Sequence, residues 1–501
     1  MKSGAEGGAG IFRPAFMLMA GRAAGFAVAF AIPIVLVRMF DQTDFGTYKQ
    51  LFLIYTTLFP IAQVGLAESL YYFLPGAHRD AGRYLANAVT GLILVGTLCL
   101  AGLWMLKPEI GHWLNNTTLV PYLPLLGLYL LFMLGAAVLE IGMTARKHHM
   151  QTFAAYALSD LMRASFSLTP VLLFGGLTAL LLGSVVFAML RFGVTLWYLR
   201  AEFTEGVKLD LTLFGRQLAY ALPYALAILI HSAQQNLHMY AVSYRYDAAV
   251  FAIYAVGCLQ VPLVEFMMTS TSSVMMVRMR EQLHAGDRAA VLELWNDTTR
   301  KLALVFIPLV GVLLICADKL IELLFTARYA DSIPLFRAWS LTILLSALMT
   351  DSVLRVFAET RFLIGLYLVR LLYIAGTIGL ALSEFGLMGA VLSTLAATLI
   401  ANVIALARMR SLLQSGLKSL LPWKALASGL AIGALAAVPA LLVKSFLAMP
   451  DLPALMIIGA AYGATYLGLL WFFGPLSGDE RLALVALARR PVTWVWSSPG
   501  V

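Results

Sequence analysis

Charge is scarce in this chain of 501 residues: 12% are Asp, Glu, Lys or Arg, 61% are apolar, and the mean hydropathy is +0.86. Soluble domains carry about 25% charged residues, so the composition excludes an ordinary soluble protein. Cysteine is scarcer still. Cys99, Cys258 and Cys316 sit in or beside apolar runs at no metal-ligand spacing, which excludes a disulfide framework and a zinc site and leaves them as small core residues. Long polar segments are also missing. The longest loop, Arg278 to Lys301, leaves no room for a large soluble domain or an extramembrane active site.

What the chain has is hydrophobic runs. A helix needs about 20 apolar residues to cross roughly 30 Å of hydrocarbon, and about fourteen runs meet or approach that length. They are 14–37, 51–74, 84–106, 118–143, 152–174, 176–199, 214–236, 248–277, 301–325, 333–356, 362–383, 386–407, 425–447 and 453–474. The first, after the polar MKSGAEGGAGIFR, is too long for a signal-peptide core and is expected to stay as helix 1. With the amino terminus inside, the tails and even-numbered loops hold about 23 Lys and Arg and the odd-numbered loops about 7. That asymmetry predicts cytoplasmic termini, and it makes the net charge of +9 a matter of topology rather than nucleic acid.

Transporters are often built from duplicated helix sets. Here FGGLTA from Phe174 to Arg200 is echoed by FGLMGA from Phe385 to Arg410, and LMR at Arg163 by LVR at Arg370. FGTY from Phe45 is echoed by FAIY from Phe251. All three echoes keep one order and a displacement of six helices. The expected architecture is an all-α polytopic membrane protein of about 14 helices, with two pseudo-symmetric six-helix halves around a central cavity. The boundaries are 1–200 and 214–411 for the halves, 201–213 for a cytoplasmic linker, 412–475 for a connector with helices 13 and 14, and 476–501 for a cytoplasmic tail. RAAVLELWNDTTRK and SLLQSGLKSLLPWK read as surface-lying connectors. Ser477 and Glu480 form a capping-box pattern, and Trp494 and Trp496 suit an interfacial anchor.

Arg22, Arg163, Arg191 and Arg370 lie well inside apolar runs. A guanidinium keeps its proton, and at mid-bilayer each costs about 2.5 to 3.5 kcal/mol unless it faces a partner or a polar cavity. Several such residues point to an anionic cargo, because arginine forks bind phosphate oxygens bidentately. The competing role is an internal salt bridge, for which Asp160 stands one turn before Arg163.

Fourteen helices in a six plus six plus two order, TDFGTY before helix 2 and GLAESLYYFLP ending it, LFTARYADSIPLFRAWSL leading into helix 10, and EFGLMGAVLSTLAATLIANVIALARMR for helix 12 carry a resemblance. They are similar to the polysaccharide transporter branch, with its Wzx-type flippases, of the multidrug, oligosaccharidyl-lipid and polysaccharide exporter superfamily. The resemblance covers roughly residues 10–475. It implies translocation of an undecaprenyl-pyrophosphate-linked oligosaccharide repeat unit across the bacterial cytoplasmic membrane by alternating access, for O-antigen, capsule or exopolysaccharide synthesis, through a cationic cavity. The implied partners are that substrate, membrane lipids, and polysaccharide polymerase and export machinery. Neither nucleic acid nor a cofactor beyond a coupling H+ or Na+ is expected. Many relatives carry N-L-D-R at the end of helix 7, where this chain has Asn236, Leu237 and His238.

The expected headgroup contacts are Arg22, Arg370, Arg163 and Arg191, with Arg163 and Arg370 as the repeat-related pair. Gln234, Gln235 and Tyr240 at the end of helix 7 are expected sugar contacts, since amides donate and accept and aromatics stack on sugar faces. Glu265, beside Pro262 and before MMTSTSS, leads the ion-coupling candidates, followed by Glu68, Glu140, Asp160 and Asp351. Each also fits an acid satisfied by a neighbour. No catalytic or metal-binding residue is expected. Two other functions fit the pattern less well: a cation-coupled multidrug exporter of the same superfamily, whose cavity favours acids and aromatics where this one is expected to hold arginines, and a membrane-embedded glycan polymerase or ligase, which needs a larger external loop.

Overall fold

A computed structural model describes Gly25 and residues 30–75, 80–146, 148–203, 208–446, 449–476, 478 and 480–481. Among the described residues every regular element is helical. The chain opens with α1 (Phe30–Met39), α2 (Gln42–Ala62), α3 (Leu66–Phe73), α4 (Ala81–Met105), α5 (Lys107–Trp113), a 3-10 turn (Thr117–Tyr122), α6 (Leu123–Ala136), α7 (Leu139–Ala145), α8 (His149–Phe174) and α9 (Gly176–Glu202). It continues with α10 (Leu211–Arg245), α11 (Ala248–Gly257), α12 (Pro262–His284), α13 (Arg288–Ile315), α14 (Ala317–Phe325), a second 3-10 turn (Ala327–Ser332), α15 (Ile333–Ser346) and α16 (Thr350–Val356). The last elements are α17 (Thr360–Leu413), α18 (Leu417–Leu420), α19 (Trp423–Phe446) and α20 (Asp451–Phe473).

Among the described residues eleven helices are long and apolar enough to cross a membrane, or twelve if the pair α11 and α12, bent by 52°, is one span. By this measure fourteen is not reached. One of the eleven, α17, fuses expected spans 362–383 and 386–407 across a kink at Gly386, and most of expected span 14–37, with Arg22, lies outside the described residues. Ser477, Trp494 and Trp496 lie outside them too.

The order of elements recurs along the chain. A broken span (α2, α3), a long helix, a short helix, a 3-10 turn and a second broken span (α6, α7) reappear as α11 with α12, α13, α14, the second 3-10 turn, and α15 with α16. The sequence echoes have local causes. Asp41 caps α2 by accepting from Asp44 N (2.7 Å), and Asp247 caps α11 by accepting from Val250 N (2.9 Å), each four residues before the echoed phenylalanine. The glycines of the two Phe-Gly pairs, Gly175 (φ 72°) and Gly386 (φ 55°), take a left-handed backbone where one helix gives way to the next.

Contacts divide the chain into two compact units, the first comprising Met1–Ser270, Leu324–Trp339 and Ala358–Ala405 and the second Thr271–Leu323, Ser340–Phe357 and Leu406–Val501. In the first, α2 begins nine residues before expected span 51–74, because Gln42 to Gln50 are too polar for a hydropathy criterion. They are helical, and Thr47 and Gln50 are buried in a side-chain network. Gln50 Nε2 donates to Ser243 Oγ (2.8 Å) and Leu114 O (3.0 Å), while Asn116 Nδ2 donates to Gln50 Oε1 (2.6 Å) and Thr47 Oγ1 (2.8 Å). Gly46 lets the α2 backbone meet that of Ala248, where any Cβ would collide with the carbonyl.

In the second unit α13, α19 and α20 pack around Ile307, Ile432, Ile458, Tyr462 and Tyr466. The tyrosine hydroxyls donate to Gly433 O and Leu304 O, both at 3.1 Å. The segment expected as a surface-lying connector, RAAVLELWNDTTRK, is instead the first half of α13, since nothing in it breaks the helix that Asp287 caps. Val291 and Trp295 are fully buried, and Trp295 Nε1 donates to Leu420 O (2.9 Å), in the other expected connector. Of that connector only Leu417–Leu420 forms a helix of its own.

Lys444 donates to Asp318 Oδ1 (2.6 Å) and Ile315 O (2.6 Å), fastening the end of α19 to the turn between α13 and α14. Burial alone would raise the Asp318 carboxyl, but the hydrogen bond and charge of Lys444 outweigh it and hold the group below its ordinary value of 3.8. A depressed folded pKa stabilises above the unfolded pKa, and the contribution disappears as pH falls through the folded one. Asp318→Asn is therefore expected to lower the Tm of the purified protein at pH 7, with the gap to wild type closing as the pH drops below the carboxylate range.

Candidate functional site

Four aromatic residues stand at helical spacing on α2: Tyr48, Phe52, Tyr55 and Phe59. Their rings form a ladder with centroid separations of 4.8, 6.0 and 5.3 Å. At 1.5 Å per residue it runs about 16 Å along the helix. Tyr129 of α6 joins it at 4.9 Å from Tyr55 and 6.5 Å from Phe52. Tyr48 and Tyr129 are buried, while Phe52, Tyr55 and Phe59 keep part of their surface open.

Arg163, from α8, is the cation of this wall, and its charge acts on Tyr48, Tyr55 and Tyr129. Nη2 meets Asp160 Oδ1 at 2.8 Å, both side chains retaining more than a quarter of their exposure. Its buried Nε has no hydrogen-bond partner. The side chain keeps 29% of its exposure beside that carboxylate, so the guanidinium is partly open to a ligand oxygen. Asp160 also packs tightly on Gly25, where a Cβ would strike the carboxylate.

Arg191 is placed differently. It pairs with Glu140 at 2.5 Å, the side chains being 13% and 5% exposed, so a predicted headgroup contact and a predicted ion-coupling acid neutralise each other in the interior. Glu140 shares a second property with three other candidates. Glu68, Glu140, Glu265 and Asp351 each stand in the first turn of the helix that restarts a broken span, namely α3, α7, α12 and α16. A restarting helix exposes unpaired N–H groups and the positive end of its dipole, and a carboxylate there answers both. At the first break Val64 and Gly65 take positive φ (49° and 68°), which separates α2 from α3. Glu68 keeps a buried Oε2 without a hydrogen-bond partner. Glu265 is exposed, and its carbonyl accepts from Thr269 Oγ1 (2.8 Å).

Arg370, on α17, donates to Thr398 Oγ1 (2.8 Å), and its charge acts on His238. It lies 15 residues before its Phe-Gly pair and Arg163 lies 11 before its own, so the two occupy equivalent helices one turn apart. His238, at the position of the relatives' acid, is buried, with Nδ1 2.7 Å from the Tyr254 hydroxyl and its ring 5.2 Å from that of Trp339. The three expected sugar contacts do not converge. Gln234 is buried with Nε2 3.4 Å from His231 Nδ1, Gln235 is exposed, and Tyr240 reaches toward Leu53 O (3.5 Å). Arg22 lies outside the described residues. Among those residues no group of three or more His, Cys, Asp or Glu side chains could hold a metal ion.

The ladder and Lys49 are absent from the sequence-based expectations. The ladder's spacing is legible as a helical stripe, whereas Lys49 counts as a loop residue when span 2 is started at residue 51. Lys49 lies over the rings of Phe45 (5.4 Å) and Tyr48 (5.9 Å). Among the described residues no carboxylate lies within ion-pairing distance of it.

Removing one partner of a buried pair leaves an uncompensated charge and costs about 3 to 5 kcal/mol. Arg191→Ala and Glu140→Ala are each expected to lower thermal stability by that order, and the double substitution is expected to restore much of the loss. Equal, additive losses in a double-mutant cycle would show that the pair is not coupled.

A family described as polysaccharide biosynthesis protein matches residues 35–334, more than half of the chain. No curated protein sequence matches. Among solved structures, the lipid II flippase MurJ in an inward closed conformation aligns with a TM-score of 0.70 at 11% identity, covering 91% of this chain and 98% of that one. An outward-facing multidrug resistance MATE family transporter of the MOP superfamily aligns at 0.57 and 15% identity, covering 81% and 96%. A MOP superfamily transporter from Pyrococcus furiosus gives 0.57, 15%, 81% and 96%. At such identities these likenesses establish a shared fold. With the family match over more than half of its length, the chain belongs to the polysaccharide biosynthesis protein family.

Proposed function

We propose that this protein is a flippase that carries an undecaprenyl-pyrophosphate-linked oligosaccharide across the bacterial cytoplasmic membrane by alternating access, with both termini in the cytoplasm. The observation that carries this reading is the wall of Tyr48, Phe52, Tyr55, Phe59 and Tyr129 with the partly exposed guanidinium of Arg163 at its side. The cargo has two parts that hydrocarbon rejects. A pyrophosphate needs charged donors that stay protonated, which arginine supplies. A glycan needs surfaces that receive its apolar faces and polar groups that bond its hydroxyls, which a partly open row of tyrosine and phenylalanine rings supplies.

Arg370 is a further cationic contact in this reading, as is Arg22 on the sequence pattern alone, and Lys49 adds a charge at the N-terminal end of the ladder. A multidrug exporter for organic cations would need free carboxylates beside its aromatic wall. Here Glu140 and Asp160 are occupied by arginines, and Lys49 would repel such a cargo. Glu265, exposed at the restart of a broken span, is the coupling site for H+ or Na+ in this reading, since among the described residues no cation lies within ion-pairing distance of its carboxylate. The flipped product passes to polysaccharide polymerase and export machinery.

Complementation of a strain deleted for the gene tests this. Arg163→Ala, Tyr55→Ala, Arg22→Ala and Arg370→Ala are each expected to lower surface glycan about tenfold, the rate equivalent of about 1.4 kcal/mol, at normal protein abundance. Lipid-linked intermediate should accumulate on the inner side, and Arg22→Lys should retain partial export. Unimpaired export in all four alanine variants would remove the headgroup and sugar assignments and leave these side chains as structural partners.

A further inference from the structure

A cavity of about 320 Å³ lies against α2, α4, α5 and α10 in the first unit. Its walls are Ile54, Leu58, Leu103, Ile110, Trp113 and Tyr240, and its only ionisable groups besides the Tyr240 hydroxyl belong to Glu109. Ile54 and Leu58 each precede a ladder residue, Tyr55 and Phe59, by one position, so they form an adjacent stripe of α2. Tyr240, expected to contact sugar, lines this apolar cavity.

We propose that this cavity binds one acyl chain of an aminophospholipid, with the primary ammonium of the headgroup on Glu109. Walls this apolar offer water nothing to bond, whereas a hydrocarbon chain gains contact with all of them. Trp104, Met105 and Trp113 are 57%, 75% and 67% exposed around α5, and tryptophans so placed mark the level where hydrocarbon meets headgroups. The mouth of the cavity is thus at headgroup depth, in the outer leaflet on the expected topology.

The charge selects the occupant. Glu109 is exposed and, among the described residues, has no cation within ion-pairing distance. A carboxylate that is the one acidic group lining a hydrocarbon slot complements a headgroup whose ammonium carries N–H donors. A choline headgroup has no N–H for the carboxylate. A polyisoprenyl phosphate carries no cation, and Glu109 disfavours it. The bound lipid braces α2 against α10 beside the ladder and outside it, since no residue of the cavity walls belongs to the ladder.

Trp113 supplies the readout. The full-length protein is reconstituted in vesicles of unlabelled lipid with equal fractions of bromoacyl phosphatidylethanolamine, bromoacyl phosphatidylcholine or a brominated polyisoprenyl phosphate. The Trp113 signal is the fluorescence difference between wild type and Trp113→Phe. The ethanolamine lipid is expected to quench with about fivefold higher apparent affinity than the choline lipid, a difference of about 1 kcal/mol. Glu109→Gln is expected to erase that preference without changing quenching by the choline lipid. Equal quenching by both phospholipids, a preference that survives Glu109→Gln, or stronger quenching by the polyisoprenyl phosphate would each overturn the proposal. None of these outcomes depends on transport, so the cavity can fail while the flippase reading stands, and the reverse.

Discussion

Hydrocarbon offers no hydrogen bonds, and most of this structure follows from that one constraint. A backbone break or a charge inside a membrane has to be answered by the protein itself. Four spans break, and each restarts with an acid in its first turn: Glu68, Glu140, Glu265 and Asp351. The acids then need answers of their own. Glu140 has Arg191, and that pair in turn accounts for an arginine deep in α9. Residues that look in isolation like a transport pathway are thereby tied to the requirement that interior helix ends be neutralised.

Helix α2 concentrates the consequences. Its polar beginning is held by Gln50, Thr47 and Asn116. Its next turns carry the aromatic ladder toward Arg163 and Tyr129 on one stripe, and Ile54 and Leu58 toward the apolar cavity on the adjacent one. A helix can serve both because side chains three and four apart share a face while neighbours diverge by about 100°. Substitutions on α2 should therefore sort by position along and around the helix, not by hydrophobicity.

How far the site was legible depends on sequence distance. The Arg163–Asp160 pair could be read directly, because residues three apart on a helix meet. The partner of Arg191 could not, because Glu140 is 51 residues away and only the packing of α7 beside α9 brings them together. Lys49 was hidden by the polar first turns of α2, which composition assigns to a loop and which burial of Gln50 turns into helix. The Val291–Trp295 segment misled in the opposite sense: an amphipathic stripe on a surface connector has the same periodicity as one buried against Leu420.

By itself the sequence determined the membrane class, the helical content, the recurrence of elements and the Asp caps and Phe-Gly turns that mark it. All of these arise from composition or from residues a few positions apart, where the physics is local. Tertiary structure decided which charges are free and which are spent, where the aromatic ladder meets its arginine, and that Tyr240 faces an apolar slot while Gln234 is buried. Those outcomes turn on the rotation of each helix about its axis, and that rotation is set by packing between side chains distant along the chain.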